Sequence, residues 1–331
     1  MTLRVLICDD SNMARKQMAR ALPRDWDVEV SFAGNGAEAL EVVKAGKGEV
    51  LFLDLNMPVM DGYQVLEAVR AQDLSTLTIV VSGDIQPEAY ERVTQLGALA
   101  FIKKPVAVTE IETILDRYGI RGDTRGDLRE IDADIQVNFL DSCQEIANVA
   151  MGRAGDLLAR VLGVFVQLSI PKVNLIAISE LRMALQQVGD GEDLSAVCQG
   201  FIGAGIAGEA LLIFDEASFS DIAELMNYSG DIDDAVQLEL FMDIANILLG
   251  ACLTGIADQL DISFSQGHPV VLGQHVNVSD LLKGNAGQWK NTLAIEIGYH
   301  IEGRKIKCDL LLLFTEDSVP DLEQRLSYII D

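Results

Sequence analysis

The chain has 331 residues, of which 49% are hydrophobic, and its formal net charge at pH 7 is −26. That length is sufficient for two hydrophobic cores, and the hydrophobic content is ordinary for a globular protein. The charge is −6 through residue 120 and −20 beyond it. Binding to nucleic acid or anionic membrane depends on Lys and Arg, so the acidic second part argues against both partners.

The sequence predicts neither a membrane protein nor a secreted protein. We find no apolar run approaching the 18 or more residues of a membrane span, and the first residues enter a predicted strand without a signal-peptide pattern. The five Cys residues occur singly, which is typical of reduced thiols in a protein core. We therefore expect a cytoplasmic protein.

Four short apolar runs in the first third of the chain each end at polar residues, and amphipathic segments lie between them. The polar residues are Asp9 and Asp10, Asp54, Ser82, and Lys103 with Lys104. This alternation predicts an α/β doubly wound parallel sheet. Because sites in such sheets form at the carboxyl ends of the strands, the polar residues should converge. Carboxylates, a hydroxyl and an ammonium together suit Mg²⁺ beside a phosphoryl group.

Residues 1–120 resemble a response-regulator receiver domain of two-component signalling. The resemblance rests on Asp9, Asp10, Asp54, Asn56, Met57, Pro58, Asp61, Gly62, Ser82, Lys104 and Pro105. It implies a phosphoprotein in which Asp54 accepts a phosphoryl group from a histidine kinase. It implies that Asp10, Asp54 and the backbone carbonyl of Asn56 hold Mg²⁺, with Asp9 assisting through water.

The same resemblance implies roles for three further residues. Ser82 would hydrogen-bond the phosphoryl oxygens, Lys104 would pair with them, and Phe101 occupies the place of the switch aromatic. An added charge of about −1.5 to −2 can reposition the loops that carry such groups. Residues 121–133 follow, and Gly122, Gly126 and alternating Asp and Arg predict a mobile linker there.

A polar constellation in residues 134–331 occurs twice, with every counterpart 98 positions later. The first copy is Asp141, Glu145, Asn148 and Pro171, and the second is Glu239, Asp243, Asn246 and Pro269. Positions i, i+4 and i+7 share one helix face, which is most often just a solvated face. Asn is a poor helix former, however, and its presence in both copies favours a functional face and an internal duplication.

Alternating apolar residues predict strands in the same region, such as Leu293 to Ile301 and the run after Gly303. We therefore predict that residues 134–331 form a duplicated α+β domain with antiparallel strands and long helices.

The duplicated motif is similar to that of the CheC-type chemotaxis phosphatases. Their pattern is an acidic residue or Ser, three residues, Glu, two residues, Asn, then 22 residues and Pro. The resemblance implies a hydrolase that removes phosphate from receiver domains, with Glu145 and Asn148 catalytic in one copy and Asp243 and Asn246 in the other. In the second copy the two acidic residues have exchanged sizes, so we expect the first copy to carry more of the turnover.

An aspartyl phosphate is already activated, so one carboxamide that orients a water is a sufficient contribution from a second domain. Glu145 would pair with the receiver's Lys and set the docking register. The leading hypothesis is a chemotaxis phosphatase that acts on a separate receiver and is regulated by Asp54. Two alternatives remain open: a phosphate sink that hydrolyses its own Asp54 phosphate, and a phosphorylation-controlled, non-catalytic binding module.

Overall fold

The computed structural model describes residues 2–120, 135–177, 180, 194–273, 291–304 and 306–330. The chain separates into two compact units, Met1–Glu145 with Ile330, and Ile146–Ile329 with Asp331. The predicted linker at residues 121–133 lies outside the described residues. The predicted domain limits at residues 120 and 134 stay predictions. The first compact unit continues past residue 134 as far as Glu145.

The first unit alternates strands and helices. Its elements are β1 Leu3–Cys8, α1 Asn12–Ala21, β2 Val28–Ala33, α2 Gly36–Lys44, β3 Val50–Leu53, α3 Gly62–Ala71, β4 Leu77–Ser82, α4 Pro87–Gln95, β5 Ala100–Lys103 and α5 Val108–Arg117. The strands form a parallel sheet in the order β2-β1-β3-β4-β5. The doubly wound parallel sheet predicted from the sequence is confirmed.

The central strands explain why the sequence folds in this way. All four residues of β3 are buried, as expected of a parallel strand that is covered on both faces. Side chains from alternate positions feed two separate hydrophobic clusters: Phe52 lies in one and Leu51 and Leu53 lie in the other. The packed strands therefore end at fixed positions, and this fixes the positions of the polar residues that follow them.

The second unit contains long helices and an antiparallel sheet. Its elements are α6 Phe139–Leu162, which starts in the first unit, β6 Val166–Leu168, β7 Lys172–Ala177, β8 Leu194–Gly203, β9 Ile206–Asp215, α7 Phe219–Leu225, α8 Asp234–Gln259, β10 Ser265–Gln266, β11 Val270–Gly273, β12 Asn291–Ile301, β13 Lys307–Phe314 and α9 Val319–Ile330. The described strands form an eight-stranded sheet in which every pairing is antiparallel.

The sheet shows the duplication directly. The order long helix, two short strands, two long strands and helix occurs twice, and β9 pairs with β13 at the centre. Leu211 lies opposite Leu311, while Leu212 faces Leu310 and Ala210 faces Leu312, so a local two-fold axis passes through the Leu211–Leu311 pair. The short strands exchange between repeats: β6 and β7 pair with β12, and β10 and β11 pair with β8.

Within the second unit, α6 and α8 approach closely. A Cβ added to Gly255 would lie 3.0 Å from the Cα of Ala150, and the Gln259 side chain donates a hydrogen bond to the Ile146 carbonyl at 2.9 Å. Helical spacing puts Leu157 and Val161 on the apolar stripe of α6 and predicts that they are buried, but this prediction is wrong because they are 45% and 46% exposed. The apolar stripe turns out of the core at the end of the helix.

The expectation that no apolar segment approaches a membrane span needs correction for α8. Among the described helices, this one of 26 residues is long and apolar enough to cross a membrane by length and composition alone. More than half of its apolar stretch is buried in the second unit, where it packs against β8 and β9. The core helix of a soluble protein meets the same criteria.

Candidate functional site

The carboxyl edge of the parallel sheet brings the predicted receiver residues together. Asp9 directly follows β1, Asp54 follows β3, Ser82 ends β4 and Lys104 follows β5. These four residues are buried, although each carries a polar or charged side chain. Such residues are rarely buried unless they are paired, so this edge is an exception that requires explanation.

Lys104 lies at the centre of the cluster. Its Nζ is 2.7 Å from Asp9 Oδ2, 3.1 Å from Asp54 Oδ1 and 3.2 Å from Glu145 Oε1. Burial alone would lower the pKa of Lys104, but Asp54, Asp9 and Glu145 raise it well above the usual value. Burial raises the pKa of both Asp54 and Glu145, and the ammonium opposes that rise. The lysine therefore stays charged, and the three carboxylates share it.

Asp10 adds a fourth carboxylate to this edge. Burial and the nearby Asp9 and Asp54 raise the pKa of Asp10 to about 7, because one ammonium does not balance so many acidic groups. Oxygen ligands with excess negative charge are what Mg²⁺ prefers, so the residue types fit that ion. In the part of the chain that the structure describes, no group of three or more Asp, Glu, His or Cys residues is arranged to hold a metal ion.

The loop after β3 fixes the position of Asp54. The Asn56 backbone N–H donates to Asp54 Oδ2 at 2.8 Å. Asp61 caps α3 by accepting from the Gln64 backbone N–H at 2.8 Å, and the Gln64 side chain accepts from the Asp61 N–H. A Cβ at Gly62 would lie 2.3 Å from the Asp54 carbonyl oxygen, so only glycine fits this close approach.

Ser82 and Phe101 occupy the neighbouring strands. The Ser82 hydroxyl accepts a hydrogen bond from the Asp84 backbone N–H at 3.1 Å. Phe101 is half-buried and packs edge-to-face on Tyr90, with ring centroids 6.0 Å apart. Ser82 lies at the carboxyl end of β4, whereas Phe101 lies inside β5, where it pairs with Val80. Their roles in phosphorylation stay predictions.

The first turns of α6 belong to the first unit and contact its polar edge. Both carboxylate oxygens of Asp141 accept backbone N–H groups at the start of α1, from Asn12 and Met13, at 2.8 Å each. A carboxylate is stabilised at a helix N-terminus by such donors. Gln144 Nε2 donates to Asp10 Oδ2 at 3.2 Å, so the start of α6 is bound at several points.

Neither Gln144 nor the role of Asp141 as a cap for α1 was predicted from the sequence. Gln144 lies between two motif residues, and its counterpart 98 positions later is Met242, so the duplication gave no signal for it. The bond from Asp141 to the start of α1 joins positions about 129 residues apart, and helical periodicity cannot reveal such a contact.

Asn148 follows one turn after Glu145 on the same helix. It is 6% exposed, and its buried Oδ1 has no hydrogen-bond partner. A buried carboxamide oxygen without a partner is costly, and such groups concentrate where function requires them. The Oδ1 of Asn148 is therefore available to accept a hydrogen bond.

The second copy of the motif is in a different environment. Glu239, Asp243 and Asn246 are all exposed on α8, within the second unit. Pro171 and Pro269 directly precede β7 and β11, which are equivalent in the two repeats. The copies thus match in position along the fold and differ in exposure.

Comparison with known proteins identifies the first unit. The family model described as the response regulator receiver domain matches residues 5–116. Over 116 residues the chain is 39% identical to the transcriptional regulatory protein NarL of Mycobacterium tuberculosis, covering 34% of this chain and 54% of that protein. It is 32% identical over 115 residues to a protein-glutamate methylesterase/protein-glutamine glutaminase of Syntrophomonas wolfei, covering 34% of this chain and 32% of that protein.

Residues 5–116 are therefore a receiver domain of two-component signalling. The chain spans about half or less of the length of these curated relatives.

Two solved structures are similar to parts of the chain. The crystal structure of Thermotoga maritima FliY is 20% identical, and its match covers 60% of this chain and 100% of that chain with a TM-score of 0.46. The signal receiver domain of NarL from Mycobacterium tuberculosis is 38% identical, covering 36% of this chain and 97% of that chain with a TM-score of 0.34. Both TM-scores are below 0.5, so neither superposition defines a function for the second unit.

Proposed function

We propose that this protein is a chemotaxis response regulator whose second part is a CheC-type hydrolase for aspartyl phosphate on receiver domains. The observation that carries the proposal is the 3.2 Å ion pair between Glu145 and Lys104. It supports the inference that the motif helix recognises the buried ammonium of a receiver site. Phosphorylation of Asp54 by a histidine kinase would regulate this activity, and the protein would act in the cytoplasm.

The receiver chemistry uses the polar edge of the parallel sheet. Asp54 would accept the phosphoryl group, Ser82 and Lys104 would bind its oxygens, and Phe101 would respond to the movement of their loops. Asp10, Asp54 and the Asn56 backbone carbonyl would hold Mg²⁺, with Asp9 acting through water. The ion would neutralise charge on the transferring phosphoryl group. The excess of carboxylates around Lys104 supports this assignment.

Hydrolysis requires a water positioned in line with the bond that breaks. The carboxamide of Asn148 or Asn246 would accept from that water and orient it, while Glu145 or Asp243 pairs with the receiver's Lys. The water oxygen forms a bond to phosphorus, the bond between phosphorus and the aspartyl oxygen breaks, and both protons of the water leave with inorganic phosphate as dihydrogen phosphate. The aspartate is released as a carboxylate. The unpartnered Oδ1 of buried Asn148 supports this use of the carboxamide.

The test is phosphate release from a separately phosphorylated chemotaxis receiver in the presence of Mg²⁺. We expect acceleration by the wild type and loss of that acceleration in the double variant Asn148→Ala, Asn246→Ala. Gln324→Ala is the matched control, since this carboxamide is exposed on α9 and belongs to neither motif. Equal rates with and without the wild-type protein would refute hydrolysis in trans.

The contacts of Asp141, Gln144 and Glu145 favour a second candidate, because they bind a receiver edge without any need for turnover. In that case the protein is a phosphorylation-controlled binding module. Capture of a partner that depends on Asp54 phosphorylation and survives the double Asn variant would support it. Loss of phosphate from Asp54 at a rate independent of dilution would instead indicate the phosphate sink.

A further inference from the structure

We infer that the two copies of the motif have divided their tasks: the second copy, on α8, docks a separate receiver domain, whereas the polar residues of the first copy are engaged by the chain's own receiver. This inference rests on the proposed function and names the copy that acts in trans. The resemblance favours the first copy for that task, and the contacts and exposure of the residues favour the second.

The first copy is already engaged within the first unit. Asp141 accepts two backbone N–H groups at 2.8 Å, Gln144 donates to Asp10, and Glu145 pairs with Lys104. The Glu145 and Lys104 side chains are only 5% and 3% exposed. A separate receiver could use these residues only after every one of these contacts had broken. One of them is a buried ion pair, and breaking it would leave an unpaired charge out of water, which is costly.

The second copy makes none of these contacts with the residues that the structure describes. Glu239, Asp243 and Asn246 are exposed, and within the described ranges no side chain pairs with either carboxylate. Their counterparts in the first copy show what they suit. Asp141 corresponds to Glu239 and meets a helix N-terminus, and Glu145 corresponds to Asp243 and meets a buried ammonium. The occupant with matching charge is therefore a receiver domain, which presents both features at one edge.

The surface beside the second copy supports docking of a protein partner. Asn246 lines a groove of about 450 Å³ between α6 and α8, with Leu157 and Val161 on its other wall. Those two side chains are nearly half exposed, although their spacing predicts core positions. Protein interfaces usually have an apolar core and a polar rim. The exposed apolar groove would form the core here, and the charged residues beside it would form the rim.

Position 144 separates the two copies further. Gln144 donates to Asp10, and the equivalent residue of the second copy is Met242, whose thioether cannot donate. The second copy therefore docks without a bond to the second acidic residue of its receiver. Its recognition depends on Glu239, Asp243 and the groove.

The experiment compares single variants of the full chain against a separate, phosphorylated chemotaxis receiver in excess. We expect Asn246→Ala to reduce phosphate release about tenfold or more, as removal of one positioned polar group does in other enzymes, and to reduce it far more than Asn148→Ala. Likewise, Asp243→Asn should lower the affinity for the receiver more than Glu145→Gln does. Binding of the receiver is measured by interferometry, so the comparison does not need turnover.

Each outcome decides one question. A larger loss from Asn148→Ala and Glu145→Gln overturns the division of tasks while leaving the phosphatase intact. A wild-type protein that binds the receiver without hydrolysing it overturns the proposed function, and the affinities of Asp243→Asn and Glu145→Gln still test the docking copy. Because Asn148 and Glu145 are buried, circular dichroism of each variant establishes that it is folded before rates and affinities are compared.

Discussion

Removal of the Lys104 ammonium is the most informative perturbation of the first unit. Lys104→Met keeps a long side chain in the site and leaves Asp9, Asp54 and Glu145 without their shared partner at 2.7–3.2 Å. All four side chains are at most 7% exposed, so solvent screens them little. Breaking a buried ion pair by removing one partner costs about 3–5 kcal/mol, and this variant should lose stability in that range at pH 8.

The loss should depend on pH with a definite sign. The ammonium lowers the pKa of Asp10, Asp54 and Glu145, so its removal raises these values further above those of the unfolded chain. A carboxyl whose pKa is raised in the folded state binds more protons there than in the unfolded chain, so stability falls as pH rises. The penalty should therefore be smaller at pH 5 than at pH 8.

Hydrogen exchange of the β3 amides of the full-length protein, with a chelator present, reports the first unit alone. Since about 1.4 kcal/mol is a factor of ten, exchange through unfolding should accelerate roughly 100-fold or more at pH 8. Lys103→Met is the matched control because Lys103 is exposed. A penalty below about 1 kcal/mol at pH 8, or one that grows at pH 5, would refute the argument that Lys104 holds this cluster together.

Three further expectations follow from particular contacts. Gly62→Ala places a Cβ against the Asp54 carbonyl, so it should lower the free energy of unfolding by about 1–3 kcal/mol and slow phosphorylation by a small-molecule donor. A thermal melt measures the loss of stability, and an unchanged melting temperature would contradict the close approach. Asp141→Asn should lower the free energy of unfolding, measured by urea denaturation, by about 1 kcal/mol because it weakens the cap on α1. Glu239→Gln should lower it by almost nothing, and equal losses would exclude the cap. Wild-type stability should fall between about pH 4 and 7 without divalent cations, because the pKa of Asp10 is raised to about 7; a rise over that range would contradict the buried cluster.

The sequence was sufficient to predict the parallel sheet and its polar edge. Apolar runs such as that of β3 are too short for core helices and end at charged residues, and a parallel sheet requires that those ends meet. The Asp9 and Asp54 carboxylates accordingly lie 2.7 Å and 3.1 Å from the Lys104 ammonium. Local pattern and topology agree here, and for that reason the prediction was accurate.

The sequence could not distinguish the environments of the two motif copies. Helical spacing puts Glu145 and Asp243 at equivalent positions of equivalent helices, yet one is buried against Lys104 and the other is exposed. That difference comes from contacts between residues far apart in the chain, which periodicity does not encode. The exposed Leu157 and Val161 show the same limit, since an apolar stripe indicates a contact face without saying what covers it.

The exchange of short strands between the repeats has a consequence for the origin of the second unit. A single repeat would present the edge of its first long strand, β8 or β12, with no short strands to cover it, because each long strand takes those of the other repeat. One repeat alone would satisfy this pairing only as a symmetric pair of chains. Fusion into one chain removes the constraint that both halves be identical, and the contrast between Gln144 and Met242 is the kind of divergence that a homodimer cannot have.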